Sequence, residues 1–320
     1  ASLVGSEMCI RDRSYRSITE EFLMKKASED PKVVAITAGT PSSVSLGNFR
    51  NEFKNQFIDV GIAEEQAVAM ASGAAKNGAK PLVVTNMTFI QRTYDQISQD
   101  VCINNNPVTI LLNYTSFAGL TDVTHLGIFG ISAFSNIPNL VILAPSSKSE
   151  YINMLDWSLD QKEHPVMILI PGNEVTERES DKDYDNIGKF KVEKQGEKAA
   201  IIALGDFYQM GESLAAAVKE ELGFTPTLIN PRFASALDTD LLEEIGHNHS
   251  LVVTLEDGIV DGGFGHKIAA FYSASNVKVK NYGLEKKFYD RYNPAELLKE
   301  LGMTNEAMVN DIKELLVEIN

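Results

Sequence analysis

Glu64 and Glu65 stand side by side in DVGIAEEQAVAMASGAA (residues 59–75), just after a glycine turn at Gly61 and at the start of a helical pattern. Acids in a first helical turn are favoured by the helix dipole whatever else they do. Beside a cleft, the same carboxylate can share a proton with a ligand. The later face of the pattern is small: Ala67, Ala71, Ala74 and Ala75. Such a face lets another backbone come close, as at a tight subunit interface, and would aim the acid into a cleft between subunits. In TFIQRTYDQISQDV (88–101), Phe89, Arg92, Asp95 and Gln96 fall at 3- and 4-residue spacings on a second helix. Phe89 there is either a core aromatic or the apolar wall of a ligand pocket. A third group, AGLTDVTHLG (118–127), places His125 in a loop. Its imidazole titrates near neutral pH and suits proton transfer.

Short apolar runs alternate with helical patterns and must carry these groups. Strands are expected at 33–37, 57–60, 81–84, 108–113, 140–144 and 166–170, with helices near 63–76, 89–103 and 147–161. Most runs are continuously apolar, as parallel strands buried on both faces are. The fold class is therefore α/β, with two doubly wound domains of mostly parallel strands. An amphipathic helix begins the ordered part, with a capping box over Ser17, Ile18, Thr19 and Glu20. A charged stretch, EVTERESDKDYDNI (174–187), marks the domain boundary. A second alternating set follows: strands at 199–204, 225–230 and 251–256, a helix near 209–222, and another after GGFG. The organisation reads as a non-native leader at 1–13 (ASLVGSEMCIRDR), a first domain at 14–175, a linker at 176–187 and a second domain at 188–320.

The whole chain bounds the function. It has 320 residues, 44% of them hydrophobic and 23% charged, with a net charge of −15. That charge argues against nucleic acid, which needs a basic surface. No apolar run approaches the ~20 residues of a membrane span. Cys9 and Cys102 lie far apart with no CxxC pattern, which fits a reducing cytoplasm and argues against a zinc site. His247, His249 and His266 lack a metal-ligand spacing, and Gly262–Gly265 reads as a helix-opening turn.

Taken together, the motifs resemble the thiamine-diphosphate-dependent transketolase family, most closely its 1-deoxyxylulose-5-phosphate synthase branch. GIAEEQAV is similar to that branch's G-I-A-E-Q-H-A-V. TFIQRTYDQ is similar to T-F-L-Q-R-A-Y-D-Q, and Thr124-His125 matches the end of G-E-D-G-P-T-H. IPNLVILAPSS, EKAAIIALG, NPRFASALD and YGLEKKFYDRY extend the resemblance from about residue 30 to the end. It implies a pyrimidine-binding domain followed by a transketolase C-terminal domain. It also implies that Glu64 hydrogen-bonds a ring nitrogen of the cofactor and that Phe89 stacks on its aminopyrimidine. Ile62 and Arg92 join them on the cofactor side. His125 becomes a catalytic and substrate-binding group, with Asp122 and Asn86 beside it.

The family holds the diphosphate and Mg²⁺ with a G-D-G…N motif in an amino-terminal domain, and Gly-Asp-Gly occurs nowhere here. No metal ligand is therefore expected in this chain. The resemblance implies a partner, a diphosphate-binding N-terminal transketolase subunit that holds the Mg²⁺, in a heterotetramer acting on a small sugar. Some positions depart from the synthase pattern. Thr121 replaces its aspartate, with Asp122 one residue later; Gln66 replaces a histidine; and Tyr114 and the segment VMILIPGN lack its phosphate-gripping arginines. An arginine fork matches phosphate bidentately, and tyrosine or isoleucine does not. The reading is thus a split transketolase transferring a two-carbon ketol unit. The alternatives are a synthase-type condensation of pyruvate with an aldehyde, the β subunit of a 2-oxoacid dehydrogenase, and a non-catalytic regulatory subunit.

Overall fold

The continuous apolar runs build the first sheet. β1 (Val33–Thr37), β2 (Phe57–Asp59), β3 (Lys80–Asn86), β4 (Thr109–Asn113), β5 (Val141–Leu143) and β6 (Val166–Leu169) pair in the order β2-β1-β3-β4-β6-β5. Every neighbouring pair is parallel. In this computed structural model the described residues are 14–172, 174–180 and 182–319, so the expected leader at 1–13 lies outside them. Helices cover both faces of the sheet, which is why β3, β4, β5 and β6 are buried along almost their whole length.

The second sheet runs β11-β10-β8-β9-β7, from β7 (Lys191–Lys194), β8 (Lys198–Ala203), β9 (Thr227–Asn230), β10 (His249–Ile259) and β11 (Lys278–Leu284). Only the β7–β9 pairing is antiparallel. Sequence reading found β8, β9 and β10 but not β7 or β11. Both are edge strands, and KVEK and KVKNYGL carry the lysines and polar residues that protect an edge and break an apolar run.

The two sheets share one interior. A single apolar cluster runs from Ile36 and Ile110 of the first domain to Leu204 and Phe264 of the second. Residues 232–234 lie antiparallel along β5, with Ala234 N donating to Ile142 O at 2.8 Å and Ala144 N to Arg232 O at 2.9 Å. A buried polar knot sits beside this seam. Glu150 accepts from Ser146 N (2.8 Å), Ser146 Oγ (2.6 Å) and Asn230 Nδ2 (3.0 Å), and Arg178 Nη2 donates to Ser146 Oγ. The charged stretch at 174–187 is largely exposed but anchored near its end. Tyr184 is fully buried, and Trp157 Nε1 donates to Asp185 at 2.8 Å.

Three local expectations are corrected. The first helix is Tyr15–Glu29, and its N-cap is Ser14, not Ser17; burial of Tyr15 and Ile18 draws the helix start back, and Glu20 binds Asn48 instead. The expected helix near 89–103 is not one regular helix. It runs as an α-turn (Met87–Ile90), a 3₁₀ turn (Gln91–Thr93) and a π-helical stretch (Gln96–Cys102). Asp100 O accepts from Ser72 Oγ at 2.7 Å, and Ile103 N reaches back five residues to Ser98 O at 3.1 Å, which widens the pitch. That same stretch corrects the alanine face. Ala67, Ala71 and Ala75 are buried in one cluster with Ile97 and Val101, so three of the four small residues admit the chain's own backbone, and Ala74 alone stays half-exposed.

Candidate functional site

The carboxyl ends of β1, β3 and β4 lie side by side, and the carboxyl ends of strands are the usual ligand position on an open parallel sheet. Polar atoms collect there without partners. Thr37 Oγ1, Thr85 Oγ1, Asn86 Oδ1, Thr88 Oγ1 and Asn113 Nδ2 are buried with no hydrogen bond among the described residues. Asn86 and Asn113 face each other in the last register of β3 on β4. Orphaned buried polar groups are rare because each costs about 1–3 kcal/mol, so a set of them at adjacent strand ends marks a place for a polar ligand.

Glu64 opens the helix that follows β2, the neighbour of β1 in the sheet. Asp59 Oδ1 accepts from Gly39 N (2.8 Å) and Gly61 N (3.0 Å), tying together the turns after β1 and β2. Gly61 supplies the left-handed φ of +72° that turns the chain into the helix Glu64–Lys76. Glu64 is the first residue of that helix and is only 4% exposed. Its Oε2 accepts no well-aligned hydrogen bond, and the nearest cation is Arg92 Nη1 at 3.4 Å. Two residues earlier, Ile62 is 83% exposed.

A chain of contacts joins most of the expected residues. Arg92 meets Glu64, and Phe89 lies one turn before Arg92. The half-buried Phe89 ring meets His125 edge-on, centroids 5.6 Å apart. His125 Nδ1 lies 2.9 Å from Thr124 Oγ1 and 3.5 Å from Asp122 Oδ1. Asp122 Oδ1 also accepts from Thr124 N at 2.9 Å and from the Thr124 hydroxyl. The Thr124 hydroxyl first, then its N–H and His125, hold the Asp122 carboxyl below its ordinary pKa. Asp122 thus reaches His125 from one residue later than the synthase pattern. With Nδ1 engaged, Nε2 of His125 is left for another partner. Asn86 flanks this set at the end of β3, and its side-chain oxygen stays unpaired.

Close packing fixes the histidine loop. A Cβ on Gly127 would lie 2.1 Å from Tyr114 O and 2.8 Å from Met87 Cβ. Only glycine lets the loop settle on the turn that carries Phe89. Tyr114, where the synthase pattern has an arginine, is half-buried with a φ of +55°.

Residues that sequence reading passed over come from the second domain. Asp257 Oδ1 accepts from Phe117 N at 2.9 Å, at the root of the histidine loop, and its Oδ2 is unpaired. Burial raises its pKa to about 6. Beside it Glu256, fully buried, accepts from Phe264 N and Gly265 N at 2.8 Å each, and burial raises it to about 7. The GGFG segment is therefore a helix-opening turn whose free N–H groups are taken by Glu256. Only the run of two acids in LEDG hinted at this. His249 is buried, its Nε2 2.8 Å from Thr227 Oγ1, and burial lowers its pKa. Among the described residues no group of three or more His, Cys, Asp or Glu could hold a metal ion. None of the described helices is long and apolar enough to cross a membrane.

Comparison with known proteins gives the chain's family and fold. The family described as transketolase, pyrimidine binding domain, matches residues 11–177, and that described as transketolase, C-terminal domain, matches 188–308. The chain is 36% identical over 308 residues to a 1-deoxy-D-xylulose-5-phosphate synthase of Clostridium perfringens, covering 95% of this chain and 50% of that protein. With the corresponding synthase of Alkaliphilus oremlandii it shares 35% over 311 residues, covering 96% and 49%. It thus spans about half the length of these curated relatives. Among solved structures, one described as a split gene transketolase, inactive beta4 tetramer, superposes with a TM-score of 0.81 at 24% identity, covering 95% of this chain and 98% of that one. A Pichia stipitis transketolase superposes at 0.76 with 15% identity, covering 95% and 46%. These two likenesses speak for the fold.

Proposed function

The chain belongs to the transketolase family, and from that premise we propose that it is the C-terminal subunit of a split thiamine-diphosphate-dependent transketolase. In this reading it transfers a two-carbon ketol unit from a ketose to an aldose. The observation that carries it is the buried Glu64 carboxyl group, whose Oε2 lacks a hydrogen bond among the described residues, together with the unpaired buried polar atoms at the carboxyl ends of β1, β3 and β4.

The residues present suit the cofactor's pyrimidine end. Glu64, protonated or sharing a proton, would hydrogen-bond a ring nitrogen, with the Arg92 guanidinium 3.4 Å away. Ile62 and Phe89 offer apolar surface to the ring, as a mostly apolar pocket with a few placed polar groups does. When bound, thiamine diphosphate supplies the carbon nucleophile that attacks the donor carbonyl. His125, held at Nδ1 by Thr124 and Asp122, would present Nε2 to the substrate oxygens and move a proton there. Asn86 and Asp122 line the same side. The diphosphate and its Mg²⁺ belong to an N-terminal family subunit, in a cytoplasmic heterotetramer. A self-associated form without that subunit would be inactive. The split-gene relative, an inactive beta4 tetramer, supports this reading.

Synthase-type condensation of pyruvate with an aldehyde is the second reading, favoured by the 36% identity to synthases. Tyr114 in place of a phosphate-gripping arginine speaks against it. The test is turnover of Glu64→Ala with the partner subunit present, assayed with ketose donors and with pyruvate. A loss of about 100-fold or more is expected, the usual scale of a proton-transfer group. Unchanged turnover would remove Glu64 from the chemistry, and turnover of pyruvate alone would favour the second reading.

A further inference from the structure

The irregular segment Glu285–Tyr292, which follows β11, lies across the loop that carries His125. Tyr292 Oη donates to Phe117 O at 2.6 Å, Arg291 N to Thr121 O at 2.7 Å, and Val123 N to Asp290 Oδ1 at 3.2 Å. The Phe288 ring meets Phe129 edge-on at 5.8 Å. Asp257 holds Phe117 N from β10, and Ile259 N donates to Ile128 O at 3.1 Å. Residues 117–129 are thus gripped by the second domain on both sides of Asp122, Thr124 and His125. Arg291 makes its bond with a φ of +51°, a left-handed backbone that a non-glycine residue adopts only at a cost.

The segment is itself stiff. Glu285 N donates to Tyr289 Oη at 3.0 Å, the Tyr289 and Tyr292 rings meet at 5.9 Å, and Asn293 caps the helix Pro294–Glu300 that follows. Burial raises the Tyr292 phenol to about 12, so it remains a donor at neutral pH. From the first domain, the loop rests on Tyr114 and Met87 through Gly127.

We propose that Glu285–Tyr292 is the positioning element of the His125 loop, so that the second domain sets how the chain engages its substrate. Asp290 and Tyr292 are positioning residues, and the role rests on His125 facing the substrate. The test uses Asp290→Ala and Tyr292→Phe in the full chain, with Lys219→Ala as control; Lys219 is an exposed residue of the helix Tyr208–Leu222, outside both the segment and the loop. Amide hydrogen exchange at 118–125 should rise about tenfold or more in both variants and stay constant in the control. With the partner subunit, KM for the ketose should rise about tenfold while kcat and the Kd for thiamine diphosphate hold. In a His125→Ala background Tyr292→Phe should add nothing. Unchanged exchange at 118–125 would overturn the proposal, as would raised exchange with an unchanged KM, or exchange raised evenly over the whole chain. A silent His125→Ala would instead overturn the functional reading, because exchange reads the loop without any turnover.

Discussion

Adding one methyl group at Gly127 should disable the site while leaving the fold standing. The new Cβ would lie 2.1 Å from Tyr114 O, against ordinary contact beginning at 3.4 Å, so a movement of about 1.3 Å is required. Tyr114 O is backbone and Met87 Cβ is fixed to its helical turn, so the histidine loop must be the part that moves. Overpacking of this kind costs about 1–3 kcal/mol. A displacement of about 1 Å of a positioned group costs about 100-fold in rate. Gly127→Ala should therefore lower kcat/KM for the ketose by about 100-fold while the melting temperature falls only a few degrees. Gly130→Ala is the internal contrast. Its Cβ would meet Met87 Cε at 2.1 Å and Sδ at 2.5 Å, but both belong to a flexible thioether that can turn aside. It should cost about 1–3 kcal/mol of stability, as overpacking does, and leave turnover near normal. Steady-state kinetics with the partner subunit, paired with thermal melts, would decide. Full activity in Gly127→Ala would refute the placement of His125 by close packing.

Three further outcomes are expected. Ala71→Leu should lower stability by about 1–3 kcal/mol through overpacking against Gln96–Cys102 without changing the oligomer; a changed mass in solution at unchanged melting temperature would restore the alanine face as an interface. Glu256 loses its proton near pH 4.5 when unfolded and near 7 when folded, so the native state holds more protons between those values and its stability falls as pH rises through them. At about 1.4 kcal/mol per unit, wild type should lose about 3 kcal/mol relative to Glu256→Gln from pH 4.5 to 7 in denaturant titrations, and parallel curves would contradict the burial argument. Asp122→Ala should raise KM for the ketose several-fold and leave thiamine diphosphate affinity intact, because it acts through His125; an unchanged KM would remove it from the site.

The sequence exposed the parts whose signals are local. Continuous apolar runs such as VVAIT and TILLN located the buried strands, and the acid pair after Gly61 located the helix that carries Glu64. Motif resemblance also selected Phe89, Arg92, Asp122 and His125; in the fold Arg92 meets Glu64, Phe89 meets His125 and His125 meets Asp122. What stayed hidden depends on tertiary partners. The alanine face announced close approach but not whose backbone would approach. The π-helical stretch arises because Ser72 captures the Asp100 carbonyl, and no spacing records that. β7 and β11 are edge strands with solvated faces, so they lack an apolar run. The grip of Asp257, Asp290 and Tyr292 on the histidine loop spans more than a hundred residues of chain.

The most direct test of Glu64 as the cofactor-holding group is calorimetric titration of thiamine diphosphate with Mg²⁺. It would be run into the chain alone, into the chain with its diphosphate-binding partner, and into the same pair carrying Glu64→Ala. Saturable binding only in the wild-type pair, weakened about tenfold or more by the substitution as expected for a lost charge-assisted hydrogen bond, is the predicted result. Equal affinity in the wild-type and Glu64→Ala pairs would contradict the account.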